Sequence, residues 1–271
     1  MALSSSKLLT NCYSTSFSLG INALNKETHA AIFAIYGFVR IADEIVDTFH
    51  DQDKEKLLNE FVEDTQQAII RKMSTNPVLH SFQWAVNKYK IDQEFIGAFI
   101  QSMRFDLDMK QYNREEFDLY VYGSAEVVGL MCLRVFCHDD EDRFDQLKVF
   151  ACKLGAAFQK INFLRDLKAD YEGRGRSYFP DLDLDQFNQK AKEAIEEEIE
   201  SDFIEGLKGV QKLPNNSRFG VYTAYVYYYA LFKKICKHKA ADVLKNRIRI
   251  SNWMKFVLLF KAFVKYKFGS V

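Results

Sequence analysis

Two pairs of aspartates sit inside stretches otherwise apolar enough to be buried helices, and that conflict constrains the fold of this chain most tightly. Asp43 and Asp47 lie in RIADEIVD; Asp166 and Asp170 lie in NFLRDLKAD. The i, i+4 spacing puts both members of a pair on one helix face. A buried carboxylate is costly unless it is paired or binds a metal. The two pairs are far apart in the chain, so they are expected on two facing walls of one cavity.

Each pair extends into a polar lane. In HAAIFAIYGFVRIADEIVDTF most positions are apolar on every side, as in a central helix. The polar residues Tyr36, Arg40, Asp43 and Asp47 are spaced 4, 3 and 4, a single stripe. In LGAAFQKINFLRDLKAD the stripe is Gly155, Gln159, Asn162, Asp166 and Asp170, spaced 4, 3, 4 and 4. Polar groups aligned on a buried helix are expected to line a wet cavity, since each otherwise carries its desolvation cost. The competing readings are a buried Arg40 ion pair with Asp43 or Glu44, and an ordinary amphipathic helix with its charged end in solvent.

Helix follows helix along the rest of the chain. The expected spans are 11–22, 27–49, 53–72, 77–88, 92–109, 114–137, 141–170, 184–209, 215–238 and 240–267. Thr28 is a candidate cap for the second, and Asn76-Pro77 breaks the third from the fourth. Segment 171–183, YEGRGRSYFPDLD, reads as the clearest non-helical stretch. Three Pro and twelve Gly in 271 residues leave little turn punctuation for an all-β fold. No repeat or linker is visible, so the expectation is one all-α domain over 1–271.

Charge balances at 37 basic and 37 acidic residues, which argues against broad attraction to nucleic acid. The five cysteines form no CxxC and read as reduced intracellular thiols, mostly core filler. The beginning, MALSSSKLLTNCY, lacks the apolar run of a secretory signal, and no uninterrupted apolar stretch reaches the roughly 18–20 residues of a spanning helix.

Four converging carboxylates would repel and some would protonate near neutral pH. Mg²⁺ resolves that conflict, with Mn²⁺ as an alternative. It takes six oxygens and commonly bridges a few carboxylates to substrate phosphates. Arg40, Arg165, Lys168, Arg174 and Arg176 would then supply cations for a diphosphate, with Arg174 and Arg176 on a loop able to act as a lid.

Five ordered landmarks give the chain a resemblance. They are YSTSFSLG (13–20), AIYGFVRIADEIVD (34–47), MRFDLDMKQYNREEFDLYVYGSAEVVGLM (103–131), QKINFLRDLKAD (159–170) and GRSYFP (175–180). Together they resemble the squalene and phytoene synthase family, head-to-head prenyl diphosphate synthases of isoprenoid and carotenoid biosynthesis, and bacterial phytoene synthases most. The resemblance implies a single isoprenoid-synthase helical domain around a central cavity, bound Mg²⁺ and two prenyl diphosphate substrates. By motif position, Asp43 and Asp47 match the first metal-binding carboxylates, and Asn162, Asp166 and Asp170 the second set. Tyr13, Ser14, Thr15, Ser16, Tyr36, Arg40, Gln159, Asn162, Arg165 and Arg176 match substrate-contacting positions. Two positions depart from the family pattern: Glu44 stands where a second aspartate is commoner, and Glu126 where a small residue is usual. Tyr222, Tyr225, Tyr227, Tyr228 and Tyr229 are candidates for a late contact.

The implied reaction joins two prenyl chains through a cyclopropylcarbinyl diphosphate. The expected product is phytoene from two geranylgeranyl diphosphates. The alternatives are squalene or dehydrosqualene from farnesyl diphosphate, and a non-catalytic assembly factor with this fold. NADPH is expected only if squalene forms. A terpene cyclase, which takes one prenyl diphosphate, is disfavoured by the paired motifs. The apolar pocket is expected from Phe17, Ile21, Phe33, Val127, Val128 and Met131. The C-terminal run WMKFVLLFKAFVKYKF suits an interfacial helix on anionic lipid and equally a last helix packed on the body. Location in the cytoplasm, with peripheral membrane contact through this run, is the matching expectation. Eukaryotic squalene synthases generally carry a further C-terminal anchor, and none is expected for this chain.

Overall fold

The apolar lanes become helices, and no strand forms among the described residues; a lone parallel bridge joins Gln111 to Ser177. The computed structural model describes residues 2–13, 15–49, 51–108, 111–180, 182, 187–245 and 247–269, with 15–17 and 174 given by backbone only. In chain order the helices are α1 (Ala2–Tyr13), α2 (Thr15–Asn22), α3 (Lys26–Asp47), α4 (Lys54–Arg71), α5 (Pro77–Tyr89), α6 (Gln93–Asp108) and α7 (Arg114–Val121). After a π-helical turn at Tyr122–Glu126 come α8 (Val127–Phe136), α9 (Glu141–Arg174), α10 (Gln189–Lys212), α11 (Arg218–Cys236), α12 (Ala240–Val243) and α13 (Asn252–Lys267).

Local chemistry explains the boundaries. Asn25, not Thr28, caps α3: its side chain accepts from the Glu27 N–H, while the Thr28 hydroxyl donates to the Asn25 carbonyl at 2.8 Å. Asn76 caps α5, with Pro77 in the first turn where its missing N–H costs nothing. Asn113 and Glu116 form a reciprocal capping box on α7. Helix α9 continues past the expected end at 170 to Arg174. It stops where Gly175 takes φ +66°, a left-handed conformation that favours glycine.

Two apolar clusters form. One gathers α3 to α6, α8 and the start of α9 around Phe38, Phe82 and Phe99. Phe38 stacks on Phe82 with ring centroids 3.9 Å apart. The other gathers α7, the later part of α9, α10 and α11 around Phe117, Phe163, Phe203 and Phe232. Helix α9 contributes to both. The run Arg114–Phe136 has mean hydropathy 1.4, long and apolar enough to cross a membrane by length and composition. It is half buried here, with Phe117, Val127 and Met131 fully inside. The cysteines among the described residues are free, Cys12 at the surface and Cys137 buried.

Candidate active site

A cavity of about 960 Å³ draws its wall from residues of both apolar clusters, and both polar lanes open into it. Tyr36, Arg40, Asp43 and Asp47 line it from α3; Gly155, Gln159, Asn162, Asp166 and Asp170 line it from α9. Tyr13 and Arg165 are also on the wall. An ideal Cβ at Gly155 would lie 2.7 Å from the Ala125 carbonyl oxygen. Glycine therefore lets α9 lie directly on the π-helical turn. That brings Gln159 Nε2 to 3.2 Å from the Ser124 hydroxyl, which accepts its hydrogen bond.

The two acidic walls are electrostatically different. On α3, burial pushes Asp43 up to about 7; Arg40 opposes the shift, and Asp47, Asp106 and Glu44 reinforce it. Arg40 donates to Asp43 at 3.4 Å, contacts Glu44 closely, and lies 4.1 Å from the Tyr13 ring centroid. Its buried Nε has no hydrogen-bond partner among the described residues. On α9, Asp166 is held by two guanidinium groups. Arg165 Nε donates at 3.0 Å and Arg247 Nε approaches to 2.6 Å. Burial alone would raise this carboxyl, but the two arginines outweigh it and hold it below the ordinary range.

A further carboxylate, on a third helix, was not singled out by sequence. Asp106 of α6 is 7% exposed, lies on the cavity wall and is pushed up to about 6 by burial, against the opposing Arg176. Its carboxylate accepts from Tyr120 at 2.8 Å and Tyr178 at 3.3 Å. Phe99, Met103 and Asp106 follow one another at spacings of 4 and 3, all buried. A single acid in an otherwise apolar lane was the signal that could have found it.

Arg176 stands elsewhere than expected. It is buried behind the wall, not on it, and joins Asp47 and Asp106 at 3.1 Å each while donating to Tyr178. It is placed to neutralise the acidic wall. Arg174 as a lid residue, Ser14, and the side chains of Thr15, Ser16 and Phe17 lie outside what is described. Lys168 pairs with Glu172 away from the cavity. Arg247, Arg249 and Lys255, between and on the last helices, line the cavity beside Arg40 and Arg165. Of the tyrosine cluster, Tyr227 and Tyr228 line the cavity; Tyr225 and Tyr229 pack on Phe203. Of the expected apolar wall, Ile21 and Val128 are present, while Phe33, Val127 and Met131 are core residues off the wall. Glu126 faces the α9–α10 seam, close to Cys152 and Lys153, not the cavity.

The donor set bears on a metal. Asp43, Asp47, Asn162, Asp166 and Asp170 offer hard oxygens on one cavity, and the like-charge burden at Asp43 is what a cation relieves. Among the described residues, no three His, Cys, Asp or Glu side chains gather closely enough to hold an ion. The oxygens present are of the kind a hard divalent cation takes, with an anionic ligand to complete its shell.

A family model described as squalene/phytoene synthase matches residues 10–254. The chain belongs to the squalene/phytoene synthase family. It is 25% identical to the 4,4'-diapophytoene synthase of Staphylococcus haemolyticus, over 94% of each chain. It is 27% identical to the phytoene synthase of Arthrospira platensis, over 93% of this chain and 89% of that one. A crystal structure of a dehydrosqualene synthase with ligand superposes with a TM-score of 0.83 at 24% identity, covering 98% of this chain and 96% of that chain. A squalene synthase from Alicyclobacillus acidocaldarius superposes at 0.76. The all-α fold of this squalene/phytoene synthase family member is shared with both.

Proposed function

We propose that the protein condenses two geranylgeranyl diphosphates head to head, through a cyclopropylcarbinyl diphosphate, to phytoene. The observation that carries this reading is one cavity with a charged end and a long apolar end. The charged end has acidic walls from α3, α6 and α9 and guanidinium groups from Arg40, Arg165 and Arg247. The apolar end runs past Ile21, Leu24, Val128, Phe136, Phe150 and Val210. A prenyl diphosphate has the same division.

Asp43, Asp47, Asn162, Asp166 and Asp170 would hold Mg²⁺, which when bound supplies the positive charge that draws off the leaving diphosphate. Arg165 and Arg247 already present paired N–H groups at Asp166, where diphosphate oxygens could replace the carboxylate. The apolar end orients the two chains and keeps water from the allylic cation. Orientation and electrostatic stabilisation therefore carry the rate.

The likeness to a 4,4'-diapophytoene synthase over nearly the whole chain supports a second reading, two farnesyl diphosphates giving a C30 hydrocarbon. A product assay separates the two. Purified protein with Mg²⁺ receives C15 and C20 diphosphates separately, with and without NADPH, and the extracted hydrocarbon is identified by mass. A C40 product from the C20 substrate without NADPH is expected. A C30 product transfers the assignment to dehydrosqualene or squalene, distinguished by NADPH dependence. Intact substrates in every arm would overturn both readings.

A further inference from the structure

We infer that α13 is a docking face for an anionic bilayer. Helix α13 sets Ala262 at 1% exposure against the body and its Tyr266 ring 5.2 Å from Phe219, while Phe263, half-exposed at the margin between the two faces, has its ring 6.0 Å from Phe219. The opposite face carries Trp253, Phe256, Phe260 and Phe263 at spacings of 3, 4 and 3, a single ridge. They are 75%, 60%, 68% and 45% exposed. Contiguous aromatic exposure of this kind marks an interaction surface.

Charge selects the partner. From Lys233 to Gly269 the sequence holds eleven Lys or Arg and one acidic residue, Asp242, in a chain that is neutral overall. Lys261, Lys265 and Lys267 flank or continue the ridge and form no ion pair among the described residues. Aromatics along one helix face with lysines beside them suit the boundary between headgroups and acyl chains of an anionic membrane. The ridge also starts at the cavity: Asn252 and Lys255, on either side of Trp253, line it. If the proposed reaction holds, a lipid-soluble product leaves beside the bilayer. The docking itself does not depend on that reaction, and its test reads binding, not turnover.

The full chain is mixed with phosphatidylcholine vesicles, with and without phosphatidylglycerol, and floated on a density gradient. Flotation with the anionic vesicles, weakened by salt, is expected. In a Trp84→Phe background the emission of Trp253 should shift to the blue on binding. A Lys261→Ala, Lys265→Ala, Lys267→Ala triple variant should lose roughly a hundredfold in partitioning, at about fivefold per lysine. Phe256→Ser with Phe260→Ser should abolish flotation while circular dichroism stays helical. No flotation with anionic vesicles at low salt overturns the inference, as does equal binding by the lysine variant. A dimer without lipid that the Phe256→Ser, Phe260→Ser variant dissociates assigns the ridge to a second copy and overturns it too.

Discussion

Asp43 and Asp166 answer the same problem, a carboxylate on a buried helix, in opposite ways. Asp166 is paired with two arginines; Asp43 shares one arginine with Glu44 and faces further acids. The sign of the pH effect follows. The carboxyl of Asp43 is raised from 3.8 to about 7 in the folded protein, so between those values the folded state holds a proton the unfolded chain has released. Its contribution to stability is present at low pH and is lost as pH rises toward 7. Without divalent cation, Asp43→Asn should therefore match the parent only at or below pH ~3.8, and its stability advantage should grow as pH rises and be complete near pH ~8, read as thermal midpoints at the two ends. An unchanged difference between the two pH values would refute the shift. The same variant, and Asp166→Asn, should lower kcat at least a hundredfold if these carboxylates serve the leaving group. Arg176 is the opposite case, a buried cation between Asp47 and Asp106. Arg176→Gln should cost about 3–5 kcal/mol in denaturant unfolding, because the buried carboxylate of Asp106 and the part-buried one of Asp47 lose their shared counter-charge. Periodicity disclosed the residues on α3 and α9 because a polar stripe in an apolar helix is visible in the sequence. It did not disclose that Arg176 turns inward, since a loop arginine has no period.

At the scale of helices, the interior was legible and the interruptions were not. The spans expected at 53–72, 77–88 and 92–109 each lie within two residues of the helices found. The span 114–137 is continuous in sequence pattern but holds the π-helical turn at Tyr122–Glu126. That turn lies directly against α9 at Gly155, a contact between helices that no single helix encodes. The span 240–267 is interrupted between α12 and α13 without a Pro or Gly to signal it, and the interruption delivers Arg247 to Asp166. The first helix, α1, lies mostly ahead of the first expected span at 11–22, yet Ser6 and Thr10 are fully buried, the former bonded to Ser81 at 2.6 Å. Two glycines test whether close approach, not helix propensity, governs these elements. Gly97 is exposed on α6 with nothing within 4 Å of an added Cβ, so Gly97→Ala should stabilise by about 0.5–1 kcal/mol. Gly155 meets backbone atoms of Ala125 and Glu126, so Gly155→Ala should destabilise by about 1–3 kcal/mol. Chemical denaturation of both variants reads the contrast, and equal effects would mean that α9 does not press on the turn.

For the whole molecule, the cavity lies where the two apolar clusters meet, so its contents bear on the stability of both. Helix α9 runs through both clusters and should make unfolding a single transition. A ligand filling the cavity at a hundred times its dissociation constant adds about 2.7 kcal/mol. For a chain of this size that raises the midpoint by roughly 5–10 °C. The separate binding of charge and chain makes the effect divisible. Mg²⁺ alone should shift the midpoint little, because no three acidic side chains among the described residues form a cage. Mg²⁺ with inorganic diphosphate should shift it further, as the diphosphate completes the cation's oxygen shell and meets Arg165 and Arg247. Mg²⁺ with an unreactive prenyl thiodiphosphate should shift it most, because the chain also covers the apolar wall between α2, α8 and α10. Differential scanning calorimetry of the three mixtures, repeated with Asp43→Asn, checks the order. A full shift from Mg²⁺ alone would mean a metal cage that the carboxylate positions do not provide. A thiodiphosphate shift equal to that of diphosphate would mean the apolar half of the cavity does not receive the chain. If the single transition and the order both hold, the charged and apolar ends act as one site divided between the two halves of the core.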